Sequence, residues 1–374
     1  MASVVRTVTG DIAPEGLGYC QPHEHIFSSP GEASPAAKLF SALRIDDPRK
    51  TLKDLLAYKE SGGSSVVDAL PVYCGRDISQ LCGLSRKSGV RIIASTGFHR
   101  FYYYEKEIID WYKGSDVEMI ADLFVSEIEE GASDGGTGET IGSAELSPLA
   151  NRRLFPFDSG TRETSERMGS SSLPYKGQFA LGRGEGKASG RAGLIKTAIG
   201  EVGAFSFLQL KLLSAAAKTQ TRTGAALMIH TEPGADVLAA VSFLEDSGVD
   251  PAKIVVCHMD RTEPDLSVHK AFALKGCFLE YDTVLRPKYH GSEKEISILL
   301  EMASAGFLDR MLLSLDVTRE RLSGYGGVPG LAGLIRYFLP LLRTSGFDEK
   351  DVHKIFCENP ARALSLQVQE RRIP

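Results

Sequence analysis

The sequence predicts an α/β protein whose single domain, residues 1–374, folds as a (β/α)8 barrel. Three observations predict it. Short apolar runs without alternation recur eight times, as expected of parallel strands buried on both faces. Longer segments with helical apolar spacing lie between them, and parallel strands require such crossovers. Polar, chemistry-bearing residues stand at the ends of several runs, and in a barrel the C-terminal strand ends converge on one face. A doubly wound open sheet is the rival, but no Gly-rich dinucleotide turn follows the first run.

In chain order the runs are 18–21, 65–69, 91–96, 192–195, 226–229, 254–257, 278–281 and 311–314. Amphipathic helical patterns occupy 52–60, 117–130, 207–219, 237–246 and 296–305. The stretch 132–191 breaks the rhythm, with Gly135-Gly136-Thr137-Gly138 and Gly182-Arg183-Gly184-Glu185-Gly186 and no long apolar run. It reads as a peripheral insertion between the third helix and the fourth strand, opposite the strand C-termini, rather than as a lid. The tail after Leu366 reads as frayed.

With 43% hydrophobic and 24% charged residues the chain suits a globular protein with a substantial core. A net charge of -5 argues against a general nucleic-acid-binding surface. The six cysteines are scattered and match neither a zinc ribbon nor a disulfide scaffold, so buried free thiols are expected. No signal-peptide core stands at 1–13 and no run is long enough to span a membrane, which makes a reducing cytoplasm the expectation.

The chemistry gathers at the run ends. Pro22-His23-Glu24-His25 follows the first run, and on extended chain His23 and His25 point one way with Glu24 turned from them. Lys196 follows the fourth run, His230 the fifth, His258 the sixth and Asp316 the eighth. Singly, Lys196 could snorkel, Asp316 could cap a helix, and either later histidine could be a satisfied core residue. Together, four of the eight histidines, a lysine and a carboxylate around one barrel mouth form a metal site.

These motifs, with Gly200-Glu201-Val202-Gly203, Cys257-His258-Met259-Asp260 and Asp309 to Asp316, resemble the phosphotriesterase-like branch of the amidohydrolase superfamily. The likeness covers nearly the whole chain apart from the insertion. It implies two divalent metal ions, zinc foremost, with manganese, cobalt or iron as substitutes. His23, His25 and Asp316 would hold the more buried ion, His230 and His258 the more exposed one, and a carbamylated Lys196 would bridge them. An ammonium cannot ligate a cation, whereas a carbamate is a bidentate anion. The resemblance further implies a nucleophilic hydroxide shared by the two ions, with Asp316 as the catalytic proton acceptor. A homodimer is the family's habit.

Specificity should rest on loops after the strands. Arg286, Lys288 and Tyr289 form a candidate clamp for a phosphate or carboxylate, with Arg100, Tyr102 and Arg321 as further substrate-binding candidates. These stretches look similar to family members that open phosphorylated sugar lactones. The expected function is therefore a small-molecule lactonase with a phosphotriesterase side activity. An amidohydrolase acting on an N-acyl amino acid or N-acyl taurine is the alternative, and a non-catalytic metal-binding scaffold is the third reading. Cys74, at the second strand's end, is expected to line the pocket or to pack.

Overall fold

Eight parallel strands, each hydrogen-bonded to the next in chain order, make one sheet in the computed structural model, which describes residues 2–39, 43–132, 190–200 and 205–368. The chain opens with β1 (Ala2–Thr7) and β2 (Gly10–Ile12). The eight-stranded sheet follows as β3 (Cys20–Glu24), β4 (Ser65–Asp68), β5 (Arg91–Gly97), β6 (Ala192–Ala198), β7 (Ala226–His230), β8 (Ile254–Val256), β9 (Phe278–Tyr281) and β10 (Met311–Leu313). The last strand is β11 (Ser365–Val368).

The absence of alternation in the runs has a direct structural cause. Val67, Ile93, Leu194, Met228, Val255 and Leu312 belong to one buried cluster, while their neighbours Val66, Ile92, Ile195, Leu227, Val256 and Leu313 belong to another. Each strand thus presents apolar side chains both to the barrel interior and to the surrounding helices. Helices at Pro48–Glu60, Ile78–Ser88, Val117–Glu129, Phe207–Thr223, Val237–Asp246 and Leu266–Lys275 begin on Asp47, Asp77, Asp116, Ser206, Asp236 and Asp265. Each of these side chains accepts a first-turn N–H that would otherwise lack a partner.

The barrel closes between its first and last strands through two side chains and one main-chain hydrogen bond. The His23 N–H donates to Ser314 Oγ at 2.8 Å, and the Asp316 N–H donates to the His23 carbonyl at 3.1 Å. Glu24 Oε1 and Oε2 accept the N–H groups of Leu315 and Val317, each at 2.9 Å. Three consecutive amides are therefore held by two consecutive residues of β3. Pro22, which has no N–H, coincides with a register shift between Gln21 and Glu24 in the β3–β4 pairing.

The amino-terminal sheet was not expected from the sequence. β1 pairs antiparallel with both β2 and β11, with Ala2 opposite Val368. Val5 packs with Leu17, Ala363 and Leu364 in the interior cluster. Gln367 and Val368 are thus strand residues, against the expectation of a frayed tail after Leu366, because β1 supplies their ladder partners; the tail from 369 on lies outside the described residues. Of the insertion, only its edges lie among the described residues. The Ala132 N–H donates to the Gly190 carbonyl at 2.8 Å, close to the amino end of β6 and opposite the strand C-termini. All six cysteines are free and five are buried. No helix among the described residues is long and apolar enough to cross a membrane.

Replacing Glu24 with Ala would leave two buried amides without acceptors, at a cost of about 1–3 kcal/mol each. Denaturant titration should show a total loss of about 2–6 kcal/mol.

Candidate metal centre

The strand ends bring the sequence-read ligands together. Lys196 lies within β6 and is fully buried, its Nζ donating to His23 Nε2 at 3.0 Å and resting 3.4 Å from Met228 Sδ. Gly97 permits this placement. It sits opposite Lys196 at φ +98°, and a Cβ there would stand 2.0 Å from the Lys196 carbonyl oxygen. Among the described residues no carboxylate lies within ion-pair distance of Lys196. A buried ammonium left so is costly, which suits a lysine whose nitrogen becomes part of an anionic ligand.

His23, His25 and Asp316 offer donor atoms that all lie within 4.8 Å of one another. His25 Nε2 is 3.3 Å from Asp316 Oδ1. Burial alone would raise the Asp316 carboxyl, but the His25 hydrogen bond and the surrounding histidines and Arg286 hold it well below the usual carboxylate range. Asp316 adopts a left-handed conformation, φ +47°, which the three amide contacts from β3 hold in place. It caps no helix.

His230 and His258 meet through their rings. His258 Nδ1 hydrogen-bonds Asp282 Oδ1 at 2.6 Å, and His230 Nε2 hydrogen-bonds Glu232 Oε1 at 2.7 Å. Each carboxylate fixes a proton on the nitrogen facing it, so the other nitrogens, His258 Nε2 and His230 Nδ1, face one another at 2.8 Å. Two lone pairs converging in a buried site are relieved by a cation. Burial lowers the pKa of His230 well below the ordinary histidine value, and that of His258 to about 4, keeping both as neutral ligands. The residues present therefore fit a metal centre. Burial does not sort them into an inner and an outer set, since His23 and His258 are equally enclosed and their ring centroids are 4.9 Å apart.

Several contributors escaped the sequence reading. Asp282, at the end of β9, bonds His258 and also lies 3.0 Å from His23 Nδ1. Glu232 orients His230 and pairs with Arg100. His99 stacks on Tyr103 and abuts His230, with ring centroids 4.5 and 4.7 Å apart. Arg261, directly after Asp260, donates to the Tyr289 hydroxyl at 2.8 Å. The available signal was an acidic residue two positions after His230, and another directly after the seventh run.

The substrate candidates divide. Arg286 Nη1 donates to Asp316 Oδ2 at 3.0 Å, and Arg261, Arg286 and Lys288 all lie against the Tyr289 ring. Arg100 lies over Tyr102 beside His230's carboxylate partner. Arg321 differs from expectation. It is buried, and its terminal nitrogens donate to the carbonyls of Leu315, Val284 and Leu285, so it holds the two loops together instead of facing the mouth. Cys74 is fully buried, and burial pushes its thiol up to about 12, which makes it a packing residue. Gly200 is described, whereas Glu201, Val202 and Gly203 lie outside the described residues.

The phosphotriesterase family model matches residues 3–144 and 181–364, leaving a gap within the insertion. This chain belongs to the phosphotriesterase family. It is therefore a hydrolase of a metal-dependent family, and the donor set above fits that chemistry. Similar proteins include a phospho-furanose lactonase of Mycoplasmopsis synoviae, 27% identical over 96% of this chain and 91% of that protein. An N-acetyltaurine hydrolase of Danio rerio is 26% identical over 97% of this chain and 98% of its own length. Among solved structures, a lactonase from Listeria monocytogenes superposes with a TM-score of 0.77 at 25% identity, covering 98% of this chain and all of that one.

In this phosphotriesterase-family fold Asp282 stands behind the candidate ligands His23 and His258. Asp282→Asn should weaken metal binding about 10–100-fold while leaving the fold intact, as read by chelator competition and circular dichroism.

Proposed function

We propose that this chain is a metal-dependent lactonase that opens a phosphorylated sugar lactone, with phosphotriester hydrolysis as a side activity. The observation that carries the proposal is the placement of Asp316 between His25 and the Arg286 guanidinium, at 3.3 and 3.0 Å. One carboxylate thus joins the metal-ligand set to a cationic mouth.

His23, His25, Lys196 as its carbamate, His230, His258 and Asp316 would hold two divalent ions, of which zinc best suits imidazole and carboxylate donors, with manganese, cobalt or iron also accepted. When bound, the ions would polarise the carbonyl under attack and lower the pKa of a water. Asp316 takes the proton of that water as its oxygen adds to the lactone carbonyl carbon, then delivers it to the ring oxygen when the ester bond breaks. A hydroxy acid leaves. Hydrogen bonding and the surrounding positive groups keep Asp316 ionised before reaction, as a proton acceptor must be.

Arg286 and Arg261 converge on the Tyr289 ring, a geometry suited to a phosphate that accepts paired guanidinium bonds. A second reading is hydrolysis of an N-acyl amino acid or N-acyl taurine amide. The relatives named N-acetyltaurine hydrolase favour it, because a sulfonate would serve the same arginines.

Turnover of the metal-loaded protein on phosphorylated lactones, plain lactones, N-acyl taurines and an aryl phosphotriester tests both readings. A preference for the phosphorylated lactone supports the first, and turnover of amides alone supports the second. Arg286→Ala should raise KM for a phosphorylated substrate about 10–100-fold, the worth of a charged hydrogen bond, and affect an unphosphorylated one less. Asp316→Asn should lower kcat by about 10²–10⁴-fold, and chelation should abolish turnover until metal is restored.

A further inference from the structure

A second group of ligand-type side chains lies beside the centre and takes no part in it. Asp260 sits in the short helix Met259–Thr262, His290 in the loop after β9, and Glu295 in the helix Ser292–Ser304. Their donor atoms lie within 4.8 Å of one another. Glu295 is 1% exposed and Asp260 8%, while the His290 side chain keeps 13% of its surface open and so provides a path from solvent.

The group is rich in acceptors and short of donors. The Thr283 N–H and hydroxyl both donate to Asp260 Oδ2, at 2.7 and 2.6 Å, and so stabilise that carboxylate as an anion. Among the described residues no N–H or hydroxyl donates to Asp260 Oδ1 or to either oxygen of Glu295, all three of them buried, and the two carboxyl groups meet each other instead. His290 Nδ1 lies 3.2 Å from the Gly291 carbonyl. His290 Nε2 lies 3.3 Å from Glu295 Oε2, 3.9 Å from Asp260 Oδ2 and 3.4 Å from Thr283 Oγ1, so the ring turns this nitrogen to the carboxylates, where a bound cation would take the place of its proton. Among the described residues no lysine or arginine nitrogen comes within ion-pair distance of either carboxylate. Buried polar groups are almost always satisfied, and two buried carboxylates with an aligned imidazole are satisfied by a divalent ion, whose charge they cancel.

We propose that Asp260, His290 and Glu295 bind a divalent cation of the zinc or manganese class, at a site separate from the centre formed by His23, His25, Lys196, His230, His258 and Asp316. The ligands fix its role. Thr283 and His290 bracket the segment that carries Arg286, Lys288 and Tyr289, and Asp260 and Glu295 anchor the two ends of that segment to neighbouring helices. The ion thus staples the loop that bears the cationic mouth. It takes no part in bond breaking.

The test is crystallography of the full chain saturated with zinc, with anomalous maps above the zinc edge, alongside metal content of gel-filtered protein. An anomalous peak among Asp260, His290 and Glu295 is expected. Glu295→Gln, which conserves shape, and His290→Asn, at a partly open position, should each remove that peak and one metal equivalent per chain, with the peaks at the main centre unchanged. A wild-type map without density at the cluster would overturn the proposal and show that protons satisfy the carboxyls. Unchanged metal content and maps in both variants would overturn it as well. Because each ion is located by position, failure of the two-ion reading at the main centre would not mimic either result.

Discussion

The contact on which the site depends is the one between Glu24 and the backbone around Asp316. A barrel of eight strands must bring its first strand to its last, and here that junction is made by a buried carboxylate, a serine hydroxyl and a carbonyl. The same few atoms close the fold and set the position of Asp316, the residue proposed to ligate and to move a proton. Burial raises the Glu24 carboxyl to about 8, while the two amides that bond it act in the opposite sense. An acid in a less enclosed place would keep its charge more easily but could not hold the amides on either side of Asp316.

Around that junction the charge balance is incomplete in a particular way. Lys196 is enclosed without a carboxylate, two imidazoles face one another with bare nitrogens, and Asp316 is ionised among histidines and Arg286. Each would be unfavourable in a finished core. Such a set fits a metal centre, because the opposite nitrogen of His258 is already committed to Asp282 and that of His230 to Glu232.

Much of this was legible in the sequence. All eight runs correspond to strands, because a strand buried on both faces has an unmistakable composition, and the candidate ligands stand at or near the run ends. The ladder between β1 and β11 was not legible, since short strands more than 350 residues apart carry no local sign of each other. Asp282, Glu232 and Arg261 were visible as residues but not as partners, because their roles depend on which ring they face. Arg321 shows the reverse. Its charge suggested a substrate, whereas its surroundings consist of main-chain carbonyls.

Both closures of the molecule join the beginning of the chain to its end. β1 finds β11, and β3 finds the segment after β10. The β1–β2 hairpin can form early, but the outer edge of β1 and the open side of β3 wait for residues made hundreds of positions later. His23 and His25 therefore stand without Asp316 through most of synthesis on the ribosome. The order of events is set by topology: the nascent chain carries two of the candidate ligands for most of its elongation, and the set comes together only once Asp316 has been made.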